Sequence, residues 1–129
     1  MPYVYLDVDE LEGTEKVGSR QCVALLQHYA KLPLTAKWAE GKSVFRDLTL
    51  KKGTAVATFV GGKYQSLSTG NHAAFFISQD GAGMWIMDQW SNDVTKPNVS
   101  KRYIRPKGKF KNGAFIDASN NADAYSVID

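Results

Sequence analysis

The chain has 129 residues, of which 43% are hydrophobic and 22% charged, a composition typical of an ordinary globular protein and not of a disordered or fibrous one. Its single cysteine, Cys22, excludes an internal disulfide, and with only two histidines, His28 and His72, a metal site would need carboxylate ligands. The net charge of +3 is too small to indicate a nucleic-acid-binding protein. We expect a single domain spanning residues 1–129 that uses no metal or other cofactor.

The first residues do not have the pattern of a cleaved signal peptide, because no basic stretch is followed by an apolar one. Residues 7–15 are acidic and are expected to form an irregular or short helical segment. No segment approaches the roughly 18 apolar residues of a membrane span. We therefore expect a protein without a membrane span that is made in the cytoplasm and leaves it, if at all, without a cleaved signal.

A helix is predicted over Arg20–Leu32, where apolar residues recur at helical spacing. Ser19 is the expected N-cap and Pro33 ends the helix, so that Cys22 would be its third residue. The first turn of a helix lowers the pKa of a thiol through unpaired N–H groups and the positive end of the helix dipole. Cys22 is therefore a candidate nucleophile.

After residue 53 the apolar pattern becomes that of β-strands. The predicted elements are a short helix at 35–40, strands at 54–60, 72–79, 84–90 and 99–105, and a turn at 112–113. Two of these strands, 72–79 and 84–90, are joined by Asp80-Gly81-Ala82-Gly83, which indicates a hairpin. One helix followed by antiparallel strands predicts an α+β fold.

A cysteine nucleophile needs a histidine base within hydrogen-bonding distance, itself oriented by a third polar group. His28 lies on another side of the same helix from Cys22, so His72 is the candidate base. The hairpin brings the end of its second strand, with Asp88 and Gln89, beside His72. A three-residue turn places Asp88 on the His72 face, whereas a two- or four-residue turn places Gln89 there. The glycines favour the three-residue turn and a carboxylate stabilises an imidazolium better than an amide, which together predict Asp88.

Four segments resemble the CHAP and NlpC-type cell-wall amidases of the papain-like superfamily, namely Gln21-Cys22-Val23, Gly53–Phe59, Asn71–Ile77 and Asp88-Gln89-Trp90. Over residues 18–105 the chain is most similar to the small amidase effectors delivered by bacterial type VI secretion systems. The resemblance implies a papain-like fold, in which an N-terminal helix carrying the cysteine packs on an antiparallel sheet carrying the histidine and the aspartate. It also implies that Cys22 is the nucleophile, His72 the base and Asp88 the third polar residue.

The resemblance further implies a cysteine peptidase or amidase that cleaves peptide bonds of bacterial peptidoglycan as an antibacterial toxin. Its expected partners are the peptidoglycan peptide, the secretion machinery and a cognate immunity protein, and its expected place of action is the periplasm of a target cell. The bond that is cut stays open between the link from D-glutamate to the diamino acid and the crosslink from the diamino acid to D-alanine. A phage or housekeeping cell-wall hydrolase is the alternative among enzymes.

Residues near these segments are candidates to line a substrate groove, and they are Gln21, Tyr64, Asn71, Gln89 and Trp90, with Trp38 and Trp85 as further aromatic candidates. The backbone N–H of Cys22 is expected to hold the oxyanion together with one further donor. The side chain of Gln21 points about 100° away from Cys22 around the helix, so a structural role suits it equally well.

A basic segment at residues 101–111 supports a different class of function. It contains six lysines and arginines and no acidic residue, interleaved with Tyr103 and Phe110. Such a pattern is found on nucleic-acid-binding faces, but also on edge strands that lysines keep from aggregating. The alternative hypothesis is therefore a non-catalytic module that binds nucleic acid or another anionic polymer through this segment, although we expect no specific nucleic-acid partner.

Overall fold

Within residues 2–129, which the computed structural model describes, one α-helix precedes the six strands of an antiparallel sheet. The helix α1 spans Cys22–Ala30. The strands are β1 (Glu40–Ser43), β2 (Ala55–Thr58), β3 (Ala73–Gln79), β4 (Met84–Asp88), β5 (Ser100–Ile104) and β6 (Tyr125–Ile128). Their order across the sheet is β1-β6-β2-β3-β4-β5, and all neighbouring pairs are antiparallel. The predicted α+β architecture is confirmed.

The central strands bury both faces of the sheet because successive side chains point to opposite sides. On one face, Leu26 of α1 belongs to the same buried cluster as Phe75. On the other face, Phe76, Ile86 and Tyr125 lie in a second buried cluster. The helix therefore covers one face of β3, and residues outside the strands, among them Val44, Leu50 and Ala122, pack on the other face of the sheet.

The start of α1 differs from the prediction. The helix begins at Cys22, because Arg20 has a φ of +69° and Gln21 is an extended N-cap residue. Ser19 does not cap the helix; its hydroxyl accepts only a long hydrogen bond of 3.4 Å from the Gln21 N–H. At the other end, Lys31 adopts a left-handed conformation that stops the helix. Cys22 is thus the first helical residue and not the third.

The hairpin between β3 and β4 has a longer turn than predicted. Gln79 pairs with Met84, which leaves the four residues 80–83 in the turn. A bulge between Phe76 and Ser78 then shifts the register of the two strands by one residue. A shift of one residue exchanges the faces of a strand. The bulge therefore puts His72 and Asp88 on the same face of the sheet, as a three-residue turn would have done.

Two strands lie where none was predicted. Residues 35–40 are not a continuous helix: a short 3-10 helix occupies Thr35–Lys37, and β1 begins at Glu40. The sequence of β1 is Glu-Gly-Lys-Ser, which carries no apolar alternation to indicate a strand. The strand β6 comes from the end of the chain and lies between β1 and β2.

By contrast, the turn at 112–113 is confirmed, since the Phe110 N–H donates to the Ala114 carbonyl at 2.8 Å.

Candidate active site

Cys22 lies at the N-terminus of α1, where the backbone N–H groups of the first turn have no acceptor within the helix. Its side chain is half-buried. Burial raises the pKa of the thiol, but the hydrogen bond and charge of His72 outweigh burial, with help from Tyr64 and the Ala73 N–H, and the pKa is lowered. The positive end of the helix dipole acts in the same direction. Cys22 is therefore biased towards the nucleophilic thiolate.

His72 immediately precedes β3, and its backbone is fixed by Thr58. The His72 N–H donates to Thr58 Oγ1 at 3.0 Å, and the His72 carbonyl accepts from the Thr58 N–H at 3.0 Å. The ring is buried, and its Nε2 donates to Asp88 Oδ2 at 2.8 Å, which leaves Nδ1 for the thiol of Cys22. Burial lowers the pKa of His72, but the Asp88 carboxylate and the Cys22 thiol outweigh it and raise the pKa.

Asp88 is completely buried and is surrounded by three basic side chains. Its Oδ2 accepts from His72 and, at 2.7 Å, from Arg102 Nε. Its Oδ1 lies 2.9 Å from Lys96 Nζ, an ionic contact without hydrogen-bond geometry, while Lys96 itself donates to Ser100 Oγ. Burial raises the pKa of Asp88, but His72, Arg102 and Lys96 lower it to about 2. Asp88 therefore stays ionised beside the imidazole.

Asp88 and not Gln89 is thus the residue that meets His72, in agreement with the predicted arrangement. Gln89 is fully buried and points to the opposite face of β4. Its Oε1 accepts from the Val17 N–H at 3.0 Å, and its Nε2 donates to the carbonyls of Val17 at 3.1 Å and Gln21 at 2.8 Å. Gln89 therefore holds the segment that precedes Cys22 and does not line the groove.

An open groove of about 790 Å³ passes over the thiol and the imidazole. Four of the predicted lining residues border it, namely Gln21, Tyr64, Asn71 and Trp90. Beyond His72 the groove continues into a depression of about 420 Å³ bordered by Arg102 and Asn120. Of the other tryptophans, Trp38 is buried behind the Tyr64 ring, and Trp85 lies at the hairpin end of β4.

Trp90 covers the buried charges from the groove side. Its ring lies 4.6 Å from Lys96 Nζ and 5.2 Å from the Arg102 guanidinium carbon, and its centroid is 6.0 Å from that of His72. The indole Nε1 donates to Asp93 at 2.9 Å, which fixes the ring. The aromatic face thus stabilises the cations that neutralise Asp88.

The described part of the chain offers no competing site of comparable chemistry. Over residues 2–129 no group of three or more His, Cys, Asp and Glu side chains could hold a metal ion. The helices in the same range are all too short or too polar to cross a membrane.

A separate depression of about 700 Å³ lies beside Lys16 and Arg20, and it is lined by no cysteine or histidine. The His28 ring packs on Tyr29 and lies outside the groove.

Comparison with known proteins identifies the family. The profile of the family described as Domesticated amidase effector 2 (Dae2) matches residues 6–128. The chain belongs to the Dae2 family. The match extends on both sides of residues 18–105, over which the sequence motifs resemble amidase effectors, and it includes β6.

Relatives of this member of the Dae2 family carry amidase names. It is 48% identical over 133 residues to the "Type VI secretion amidase effector 2 protein" of Salmonella typhi, covering 100% of both chains. It is 36% identical over 95 residues to "Domesticated amidase effector 2" of Ixodes scapularis, covering 69% of this chain and 61% of the tick protein. The solved structure of "Type 6 secretion amidase effector 2 (Tae2)" matches with a TM-score of 0.93 and 46% identity, covering 98% of this chain and 94% of that one. The expected fold is confirmed by this match.

Two further residues of the candidate site, Lys96 and Arg102, are not indicated by the sequence patterns. Arg102 belongs to the basic segment 101–111, yet it pairs with Ile86 across β4 and β5 and so shares a face with Asp88. Strand alternation within 99–105 was the signal that could have found it. Lys96 lies in an irregular loop, where a lysine is normally solvated, and no local pattern distinguishes it.

Proposed function

We propose that this protein is a cysteine amidase that cleaves peptide bonds of bacterial peptidoglycan, in keeping with its membership of a family of amidase effectors. The observation that carries the proposal is the buried ion pair of His72 and Asp88, 2.8 Å apart, beside a thiol of lowered pKa at the floor of an open groove. A structural cysteine in an apolar core would have its pKa raised by burial instead.

In the proposed reaction the Cys22 thiolate attacks an amide carbonyl carbon. The C–S bond forms while the carbonyl π electrons move to oxygen, and the resulting oxyanion is stabilised by the Cys22 N–H and a further donor. When the carbonyl re-forms, the C–N bond breaks and the His72 imidazolium gives its proton to the leaving amine. Asp88 stabilises the imidazolium and fixes the ring.

Hydrolysis of the thioester completes the cycle. Neutral His72 takes a proton from a water molecule as the water oxygen attacks the thioester carbon. Breakage of the C–S bond then releases the carboxylic acid product and restores the thiolate and imidazolium pair. The groove of about 790 Å³ is open to solvent, which gives water access to this step.

The test compares Cys22→Ala, His72→Ala and His28→Ala on purified peptidoglycan, with mass analysis of the fragments. We expect no fragments from Cys22→Ala and a loss of at least about 10²-fold in kcat for His72→Ala. His28→Ala is the matched control, because His28 lies outside the groove, and it should keep wild-type turnover. A folded Cys22→Ala protein that still releases fragments would contradict the proposal. The fragment masses also decide between the two candidate bonds.

We further propose that the 129 residues act as a single domain in the periplasm of a target cell after type VI secretion, and that an immunity protein covers the groove in the producing cell. Because Cys22 is the only cysteine, its alkylation reports on groove access without ambiguity. An immunity protein bound over the groove should protect Cys22 from iodoacetamide. Unchanged alkylation in a saturated complex would place the partner elsewhere.

A further inference from the structure

The Tyr64 hydroxyl lies 3.5 Å from Cys22 Sγ. Tyr64 belongs to the segment between β2 and β3, and its ring packs against Trp38 with centroids 4.9 Å apart. The side chain is largely buried, its ring is held by this packing, and the residue borders the groove. A fixed polar hydrogen is therefore available beside the sulfur.

Neighbouring hydrogen bonds determine in which direction this hydrogen points. The Leu67 N–H donates to Asn71 Oδ1 at 2.6 Å, and since a backbone N–H can only donate, the amide group of Asn71 has a defined orientation. Asn71 Nδ2 then donates to the Tyr64 oxygen at 3.2 Å. Because this bond uses a lone pair of the phenol and the Cys22 thiolate can only accept, the Tyr64 O–H donates to the Cys22 sulfur.

On the basis of the proposed cysteine mechanism, we propose that Tyr64 supplies the side-chain donor of the oxyanion hole and that Asn71 is its positioning residue. The oxyanion is only two bonds from the attacking sulfur, so a hydroxyl that bonds the thiolate before attack can bond the oxyanion after it. The negative charge moves from sulfur to oxygen, and the donor follows it over a short distance. The Cys22 N–H is the second donor.

The protonation state of Tyr64 suits this role. Burial and the nearby Cys22 charge hold the pKa of the phenol well above its usual range, although Asn71 opposes them. The hydroxyl therefore keeps its hydrogen over the whole range in which Cys22 and His72 titrate. Gln89 is not an alternative donor, since its amide already bonds Val17 and Gln21.

Tyr64→Phe removes the hydroxyl and keeps the ring that packs on Trp38. We expect kcat on a short soluble muropeptide to fall by about 10²–10³-fold, the usual loss for one oxyanion donor, with little change in KM. Tyr103→Phe is the matched control, because it removes a hydroxyl that bonds Asp80 at 2.8 Å outside the groove, and it should keep wild-type kcat. Thermal unfolding of both variants checks that the fold is unchanged.

A second measurement separates a donor to the oxyanion from a donor to the thiolate alone. The pH dependence of Cys22 alkylation gives the thiol pKa, which should rise in Tyr64→Phe. If the thiol pKa rises but kcat at the pH optimum stays at the wild-type value, the oxyanion assignment is wrong. An inactive Cys22→Ala beside a fully active Tyr64→Phe would overturn this inference and leave the proposed function standing.

Asn71→Ala tests the positioning role independently of Tyr64→Phe. It should lower kcat less than Tyr64→Phe does, because the hydroxyl remains but is no longer oriented. In the double variant, kcat should fall no further than in Tyr64→Phe alone, as expected for two residues that act through one hydrogen bond. Fully additive losses would overturn the assignment of Asn71, and wild-type kcat in Asn71→Ala would do the same.

Discussion

At the residue scale, the site depends on a carboxylate that is buried among three cations. Removing water from Asp88 costs free energy, and contacts with His72, Arg102 and Lys96 offset that cost. The same contacts orient the imidazole, so one side chain links the stability of the fold to the chemistry of the thiol. Changes at this position should therefore affect both properties together.

Asp88→Asn should lower activity and stability at once. An amide cannot stabilise the imidazolium as a carboxylate does, and we expect kcat to fall by up to about 10⁴-fold. Lys96 and Arg102 would keep their charges without a counterion, which should lower the free energy of unfolding by about 3–5 kcal/mol. Urea denaturation measures the stability, and kcat is measured well below the unfolding transition. An unchanged urea midpoint would mean that the cations find other partners.

The pH profile of kcat/KM should be bell-shaped, because the Cys22 thiol must lose its proton while His72 keeps its own. Because the pKa of Cys22 is lowered, the rising limb should lie below the ordinary thiol pKa of 9.0. Because the pKa of His72 is raised, the falling limb should lie above the ordinary histidine pKa of 6.5. Alkylation of Cys22 over the same pH range checks the rising limb. A single rise near the ordinary thiol value of 9.0 would contradict a resting ion pair.

The contributions of His72 and Asp88 to the free energy of unfolding depend on pH in opposite directions. The His72 pKa is raised by folding, so its contribution is complete below the ordinary value of 6.5 and is lost as the pH rises through the folded pKa. The Asp88 pKa is depressed to about 2, so its contribution is present above the ordinary value of 3.8 and is lost as the pH falls towards 2. The His72–Asp88 pair therefore stabilises the fold most between the ordinary pKa values of 3.8 and 6.5.

At the element scale, the last residue of β4 and the residue that follows it position both halves of the site, because adjacent residues point to opposite faces. Asp88 reaches His72 on one face, and Gln89 bonds the segment before α1 on the other. A bulge in β3 between Phe76 and Ser78 puts His72 on the same face of the sheet as Asp88. The strand thus fixes the base and the helix that carries the nucleophile with two consecutive side chains.

Gln89→Ala should impair catalysis through the position of α1. It removes three hydrogen bonds to the backbone of Val17 and Gln21, and we expect a loss of about 1–3 kcal/mol in unfolding free energy together with a lower kcat. The measurements are urea denaturation and turnover of a soluble muropeptide.

The matched control is Gln79→Ala. Gln79 makes the same pattern of three backbone hydrogen bonds, to Arg46, Val44 and Asp47, at the hairpin end of β3. It should lose stability and keep wild-type kcat. Equal losses of kcat in the two variants would show that general destabilisation, and not the position of Cys22, explains the effect.

At the scale of the whole molecule, the basic segment 101–111 does not form one continuous cationic face. Arg102 contacts Asp88, and Lys107 pairs with Asp117 at 2.7 Å. Arg105 lies over the Tyr103 ring and Lys109 over the Phe115 ring. Several of its charges therefore serve the site or local packing, which weakens the hypothesis of a nucleic-acid-binding module.

Charge reversal at Lys109 and Lys111 tests what remains of that hypothesis. Both side chains are exposed and lie outside the groove, so Lys109→Glu with Lys111→Glu should weaken attachment to intact anionic wall material and leave cleavage of a soluble muropeptide unchanged. Sedimentation with wall fragments at two salt concentrations measures attachment. Tight nucleic-acid binding at physiological salt that the reversal abolishes would instead support the binding module.

The sequence by itself determined the elements whose signals are local. Apolar periodicity gave α1 and the strands β2 to β5, the first helical turn indicated Cys22, and the start of a strand indicated His72. The choice of Asp88 agrees with the structure although its premise was wrong, because a four-residue turn and a bulge together keep the facing of a three-residue turn. An alternation of apolar and polar residues predicts a strand, but it does not reveal the length of a turn or the presence of a bulge, because either one shifts the pairing of the strands.

Only the tertiary structure decided which distant groups meet. The strand β6 is placed between β1 and β2 by pairing with residues 67 to 88 positions away in the chain, on which local periodicity carries no information. Lys96 is brought onto Asp88, and Gln89 onto the segment before α1, by the stacking of a helix and loops against the two faces of the sheet. Contacts of this kind depend on how elements pack, because each short segment is compatible with several partners until the burial of the whole core selects one arrangement.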